Sequence, residues 1–209
     1  MKFSFKPNKL GYAVIVIIVL ITAIVLFKKK NTVSQLITKG INYLKEKSWD
    51  IVSDQRISTL HPLVIGKAKE FIIRAEKELG IKLRVVSALR SWAEQTALFN
   101  QPFDGKDNDR DGKIDEADEK VTNAKAGSSY HNFGLALDVV EIKNGKALWT
   151  NPNWSKIAAL GKSIGFEWGG DWKSFKDKPH FQYTFGKTLA QLRDLYQSGH
   201  RTGDYVNLA

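Results

Sequence analysis

Ser129-Tyr130-His131-Asn132-Phe133-Gly134-Leu135-Ala136-Leu137-Asp138 leads into a β-rich run, LALDVVEI, that ends at residue 142. His131 and Asp138 lie seven positions apart. On one straight strand that spacing would send them to opposite faces. Gly134 between them permits a bend that brings both side chains to one point. Two further segments carry the same kinds of residue: Asp177-Lys178-Pro179-His180-Phe181, and before it Gly165-Phe166-Glu167-Trp168-Gly169-Gly170-Asp171-Trp172. The chain has no cysteine, which excludes disulfides, thiolate metal sites, iron–sulfur clusters and a cysteine nucleophile. A transition-metal site must then combine His with Asp or Glu, and there are four histidines: His61, His131, His180 and His200. A catalytic zinc takes three protein ligands and leaves one position for water. Two His and a carboxylate satisfy that count, and a second carboxylate nearby can carry the water's proton to a leaving amine. Spacing alone leaves the set open.

Outward from this stretch, helices and strands mix without a regular βαβ rhythm, so the expected class is α+β. Residues 62–79 show helical periodicity, with Pro62 suited to the first turn and Gly80 to the C-cap. Residues 82–88 read as a strand, 91–100 as a helix, 153–164 as a helix stopped by Gly165, 181–184 as a short strand, and 188–198 as a last helix. The globular domain is expected over residues 50–209. Val33, Leu36, Ile37, Ile41 and Leu44 form a rough helical stripe interrupted by Gly40, which reads as a juxtamembrane stalk over residues 28–49.

Before the stalk, residues 10–27 (LGYAVIVIIVLITAIVLF) are uncharged. As a helix they would span roughly 27 Å, close to the ~30 Å hydrocarbon core of a bilayer. The run ends in Lys28-Lys29-Lys30 without a small-x-small cleavage site, so an uncleaved transmembrane anchor is expected in place of a signal peptide. Three lysines flank each end, and the positive-inside rule gives no direction.

The net charge is +10, of which the first thirty residues contribute six lysines and no acid. Residues 104–119 oppose the remainder with eight acids against three basic residues. A basic body suits an anionic polymer, whether nucleic acid, anionic lipid or cell wall, and charge does not choose among them. Within the acidic segment, residues 107–118 read DNDRDGKIDEAD. On the calcium-loop template Asp107, Asp109 and Asp111 take the first three ligand positions, with Gly112 at the sharp turn. Lys113 would offer its carbonyl and Asp115 would take the ninth position. Ile114 would pack on the structure beneath. The twelfth position falls on Asp118, shorter than the usual Glu, with Glu119 one place late. A lone cation-binding loop is expected, with calcium the cation and magnesium its rival.

The pattern Ser-x-His-x-x-Gly-x-Ala-x-Asp, matched by Ser129, His131, Gly134, Ala136 and Asp138, is followed by Trp-Gly-Gly-Asp-Trp and Asp-x-Pro-His-Phe. Together these resemble the D-alanyl-D-alanine carboxypeptidase group of zinc peptidases, and within it the L-alanyl-D-glutamate endopeptidases of phage endolysins and wall-remodelling enzymes. The resemblance runs from about residue 53 to residue 183 and includes Leu60-His61-Pro62 and Ser87-Ala88-Leu89-Arg90-Ser91. It implies a small antiparallel sheet with flanking helices, and His131, Asp138 and His180 as zinc ligands. It further implies Asp177 as general base and acid, with Asp171 or Glu167 as rivals. Arg90 would steady substrate and developing charge, Ser129 and Gln95 would be secondary contacts, and Trp168 and Trp172 pocket walls. His61 and His200 are read as structural. The implied partner is the peptidoglycan stem peptide, and not nucleic acid. That substrate would put the catalytic domain outside the membrane and residues 1–9 in the cytoplasm. Two other functions remain open: a D,D-carboxypeptidase or dipeptidase, and a non-catalytic metal-stabilised binding module like the hedgehog signalling domain.

Overall fold

A computed structural model describes residues 30–208. The apolar run at residues 10–27, and with it the expected anchor, lies outside the described residues. Among the described residues no helix is long and apolar enough to cross a membrane. The first helix, α1 (Lys30–Ser58), carries on through Gly40 and past the expected stalk boundary. A single glycine costs a helix only about 1 kcal/mol, too little to break a run of this length. From Ser48 the chain forms one compact unit.

After α1, the helix α2 (Pro62–Leu79) follows the expected bounds. The side chain of His61 caps its start by accepting from Leu63 N, and Gly80 ends it in the left-handed conformation. Val64, Ala68, Phe71 and Ala75 face the core at helical spacing. Strand β1 (Leu83–Ser87) and helix α3 (Trp92–Asn100) come next, α3 opening on a capping box between Ser91 and Glu94. Then come β2 (Ala136–Lys143), β3 (Lys146–Leu148), α4 (Trp154–Ile164), β4 (Glu167–Trp168), β5 (His180–Gln182), α5 (Leu189–Gln197) and a small hairpin of β6 (Arg201–Thr202) and β7 (Tyr205–Val206).

The main sheet is antiparallel, in the order β1-β2-β5-β4, with β3 also on β2. Its core face meets α2 and α4. Leu137 and Phe181 sit opposite each other in the ladder, and both belong to the buried apolar cluster. Phe181 stacks edge-on against Phe71, ring centroids 4.9 Å apart. One residue along, Asp138 pairs with His180. Strand alternation turns this pair to the other face of the sheet, away from the helices. On the free edge of β1, Ser53 accepts from Val85 N and Arg56 donates to Val85 O, so α1 covers a strand edge that would otherwise be bare.

Candidate active site

His131 is delivered by a 3-10 turn, Tyr130–Phe133, capped at its start by Ser129. Gly134 ends the turn at φ 66°, and the chain then enters β2. The bend expected at Gly134 is therefore real. A Cβ there would stand 2.6 Å from His61 N, so a side chain is excluded by space as well as by backbone conformation. Across it, His131 and Asp138 come together. His131 Nε2 lies 3.3 Å from Asp138 Oδ1 and 3.2 Å from His180 Nδ1, and His180 Nδ1 lies 3.1 Å from Asp138 Oδ1. Each imidazole turns its other nitrogen to a protein acceptor. His131 Nδ1 donates to the Ala88 carbonyl at 2.7 Å, and His180 Nε2 to Gln182 Oε1 at 3.1 Å.

Two ring nitrogens and one carboxylate oxygen thus converge, and once the rings give up any proton held between them these are donors that suit zinc. The outward N–H bonds fix which nitrogen is free. Both histidines are buried, at 3% and 5% exposure. The residues present fit a zinc ion. Burial alone would raise the Asp138 carboxyl, but the two imidazoles outweigh it and hold it well below the usual carboxylate range. Burial lowers His180, and its hydrogen bond and charge attraction to Asp138 overcome that, leaving it raised.

A cleft of about 530 Å³ opens over this group. Arg90, Ser129, His131, Asp138, Asp177 and His180 all line it. Trp172 stands on the rim with its ring 5.0 Å from that of His180. Asp177 is raised above the ordinary Asp value, first by burial and then by the charge of Asp138, against the opposing pull of His180, His131 and Arg90. Gly169 accepts from Asp177 N at 3.1 Å, and a Cβ on Gly169 would meet Asp177 O at 2.5 Å. The Trp-Gly-Gly stretch is therefore a buttress for the turn that carries Asp177.

Several expected contacts fall elsewhere. Gln95 is fully buried and does not reach the cleft. It accepts from Arg90 Nη1 at 3.0 Å and donates to Thr122 Oγ1 and Ala124 O, so it braces the arginine and the cleft wall. Trp168 also misses the cleft, because its indole lies under Gly170 and donates to Lys178 O. Asp171 is held by Lys162 on the surface. Glu167 stands behind Gln182, whose amide donates to it at 2.9 Å. His61 bonds to Val206 O, and His200 to Ser198 Oγ at the surface. Phe175 and Val121, exposed and lining the cleft, have no signal in the sequence beyond their apolar character.

In the acidic loop, oxygens of Asp107, Asp109 and Glu119 lie within 4.8 Å of one another. Asp118 is exposed and outside that group; the buried Glu119 takes its place, fixed by Asn108 N and Glu116 N. The short turn at residues 117–119 rotates the later carboxylate inward. Asp111 pairs with Lys113 and Asp115 accepts from Gly105 N, and neither is in that group. Ile114 is 60% exposed and does not pack beneath the loop.

Residues 122–183 match the D-alanyl-D-alanine carboxypeptidase family. The chain is similar to the peptidoglycan L-alanyl-D-glutamate endopeptidase CwlK of Bacillus subtilis (strain 168), at 38% identity over 60% of this chain and 74% of that protein. The chain belongs to this family of peptidases, whose members are zinc-dependent. An L-alanyl-D-glutamate peptidase of Listeria phage A118 is 38% identical over 32% of this chain, which spans 27% of the phage protein. Among solved structures, the L-Ala D-Glu endopeptidase ChiX of Serratia marcescens is 27% identical, over 64% of this chain and 86% of that one, with a TM-score of 0.44.

Proposed function

We propose that this chain is a zinc peptidase that hydrolyses the L-alanyl-D-glutamate bond of peptidoglycan stem peptides. The observation that carries it is the convergence of His131 Nε2, His180 Nδ1 and Asp138 Oδ1 on the floor of a cleft that Asp177 and Arg90 also line. The named activity of the B. subtilis relative supplies the bond. Zinc bound by these three side chains supplies Lewis acidity toward water and the scissile carbonyl.

The chain's own groups handle protons and position. Asp177 takes the proton from water as its oxygen bonds to the carbonyl carbon of L-Ala. It then gives that proton to the D-Glu nitrogen as the C–N bond breaks, and the second water proton passes from the new carboxyl group to the amine, leaving a carboxylate and an ammonium. The raised Asp177 pKa suits a group that must both accept and donate. Arg90, held by Gln95 and Ser87, presents a fixed cation to developing negative charge or to a substrate carboxylate. Trp172 and Ser129 are the substrate contacts that line the cleft.

The test is a muropeptide digest read by mass spectrometry. Products separated between L-Ala and D-Glu are expected. Release of free D-Ala alone would make the enzyme a D,D-carboxypeptidase, and intact muropeptides would leave a binding module.

Two further parts belong to this proposal. Residues 10–27 anchor the chain in the membrane with the catalytic domain on the outer side, where the substrate lies; their length and lack of charge support this. The acidic loop binds calcium through Asp107, Asp109 and Glu119, supported by the approach of their carboxylates and the oxygen-rich tight turn.

A further inference from the structure

His180 can serve a metal only if its proton sits on Nε2, leaving the Nδ1 lone pair free toward Asp138. A neutral imidazole has no preference strong enough to guarantee that on its own, and the choice is set by the partner of the other nitrogen. Here that partner is Gln182 Oε1, 3.1 Å away. An amide is an ambiguous partner, because it offers an acceptor at one end and a donor at the other. Turned over, Gln182 would present N–H to Nε2 and drive the proton to Nδ1, into the metal position.

Glu167 removes the ambiguity. It sits opposite Gln182 in the β4–β5 ladder, and its Oε2 accepts from Gln182 Nε2 at 2.9 Å. Its other oxygen accepts from Thr184 Oγ1 at 2.8 Å, which holds the carboxylate in place. A carboxylate can only accept, so the amide must point its nitrogen outward to Glu167 and its oxygen inward to His180. We propose that Glu167 and Gln182 are positioning residues that set the tautomer of His180 through this chain of hydrogen bonds. The inference rests on the zinc reading above and adds to it two residues outside the ligand set. His131 needs no such relay, because its Nδ1 donates to a backbone carbonyl that has no donor end to turn inward.

The test is zinc affinity of the metal-stripped chain, measured by competition with a chromophoric chelator. Glu167→Gln leaves size and burial unchanged but can present a donor to Gln182, and it should weaken zinc binding about tenfold, in the range seen for groups behind metal ligands. Gln182→Leu should weaken it by at least as much. In the double variant the loss should equal that of Gln182→Leu alone, because a relay broken at its middle no longer transmits its end. Asp171→Asn removes a neighbouring carboxylate that is paired with Lys162 and stands outside the relay, and it should bind zinc as the wild type does. Since Glu167 lies on an exposed edge strand, melting of its metal-free variant with the wild type confirms that folding is intact. Wild-type affinity in Glu167→Gln, additive losses in the double variant, or an equal loss in Asp171→Asn would each overturn the relay. A wild-type chain that binds no zinc would overturn the metal reading and the relay with it.

Discussion

Asp177 lines the cleft, whereas the other two candidate acids, Asp171 and Glu167, do not. Its carboxyl is raised by burial and by Asp138, while Asp171 is tied to Lys162 and Glu167 to Gln182 and Thr184. That contrast is why the proposed mechanism gives the proton to Asp177. Asp177→Asn should lower kcat by roughly 10²- to 10⁴-fold, the range for losing a general acid–base, with zinc content unchanged by metal analysis. The sign of the pH effect follows from the direction of the shift. The base form is the carboxylate, and a raised pKa means that form is lost at a higher pH than for an ordinary Asp of about 3.9. In the metal-free chain the Asp177 carboxyl should therefore titrate above that value, which NMR of the carboxyl carbon reads, and bound zinc should pull it back down. A metal-free Asp177 that titrates as an ordinary Asp would remove this contrast. Gln95 answers a different question. Gln95→Ala should cost about 1–3 kcal/mol of stability, because it strands buried donors and acceptors, and should lower activity by freeing Arg90. Resemblance alone made Gln95 a substrate contact; only the side chain's burial shows that it acts through Arg90.

Elements were most legible where the sequence carries local chemistry. Pro62, His61 and Gly80 bound α2, and the Ser91–Glu94 capping box opens α3, because caps are short-range events. The β2–β3 hairpin carried an equally local signal, Asn144-Gly145, both at positive φ, between Lys143 and Lys146. The apolar run before it masks that signal in the sequence. The two-residue strand β4 had no such signal, since only its pairing with β5 makes it a strand. His131, Asp138 and His180 were legible as a pattern, whereas their convergence depends on the β2–β5 register, a long-range property. The Gly134 turn joins the two kinds of information and gives a paired prediction. Gly134→Ala places a Cβ 2.6 Å from His61 N at φ 66°, and should destabilise by about 2 kcal/mol or more. Gly66→Ala, in the interior of α2 with nothing within 4 Å, should stabilise by about 0.5–1 kcal/mol. Melting temperatures that move together would show that the Gly134 constraint is not real.

Across the whole molecule, the acidic loop and the cleft are joined by one step of chain. Glu119 is buried in the carboxylate group of the loop, and the next residues, 120–124, line the cleft. Gln95 ties that same wall to Arg90 through Thr122 and Ala124. A cation drawn to Asp107, Asp109 and Glu119 would therefore pin one end of the wall, while Gln95 pins its middle. If the loop holds that cation, removing it would leave three carboxylates within 4.8 Å to repel one another, and the wall would lose its outer support. Calcium added to the calcium-free, zinc-loaded protein should raise its melting temperature, following mass action for a ligand that binds only the folded state. It should also lower KM more than it raises kcat, because the wall shapes the cleft and carries none of the reacting groups. Glu119→Gln should abolish both responses, whereas Asp118→Asn, at an exposed position outside the carboxylate group, should keep them. Equal melting temperature and turnover with and without calcium would reduce the loop to a solvated acidic surface. A response kept by Glu119→Gln and lost by Asp118→Asn would restore the ligand order read from sequence alone.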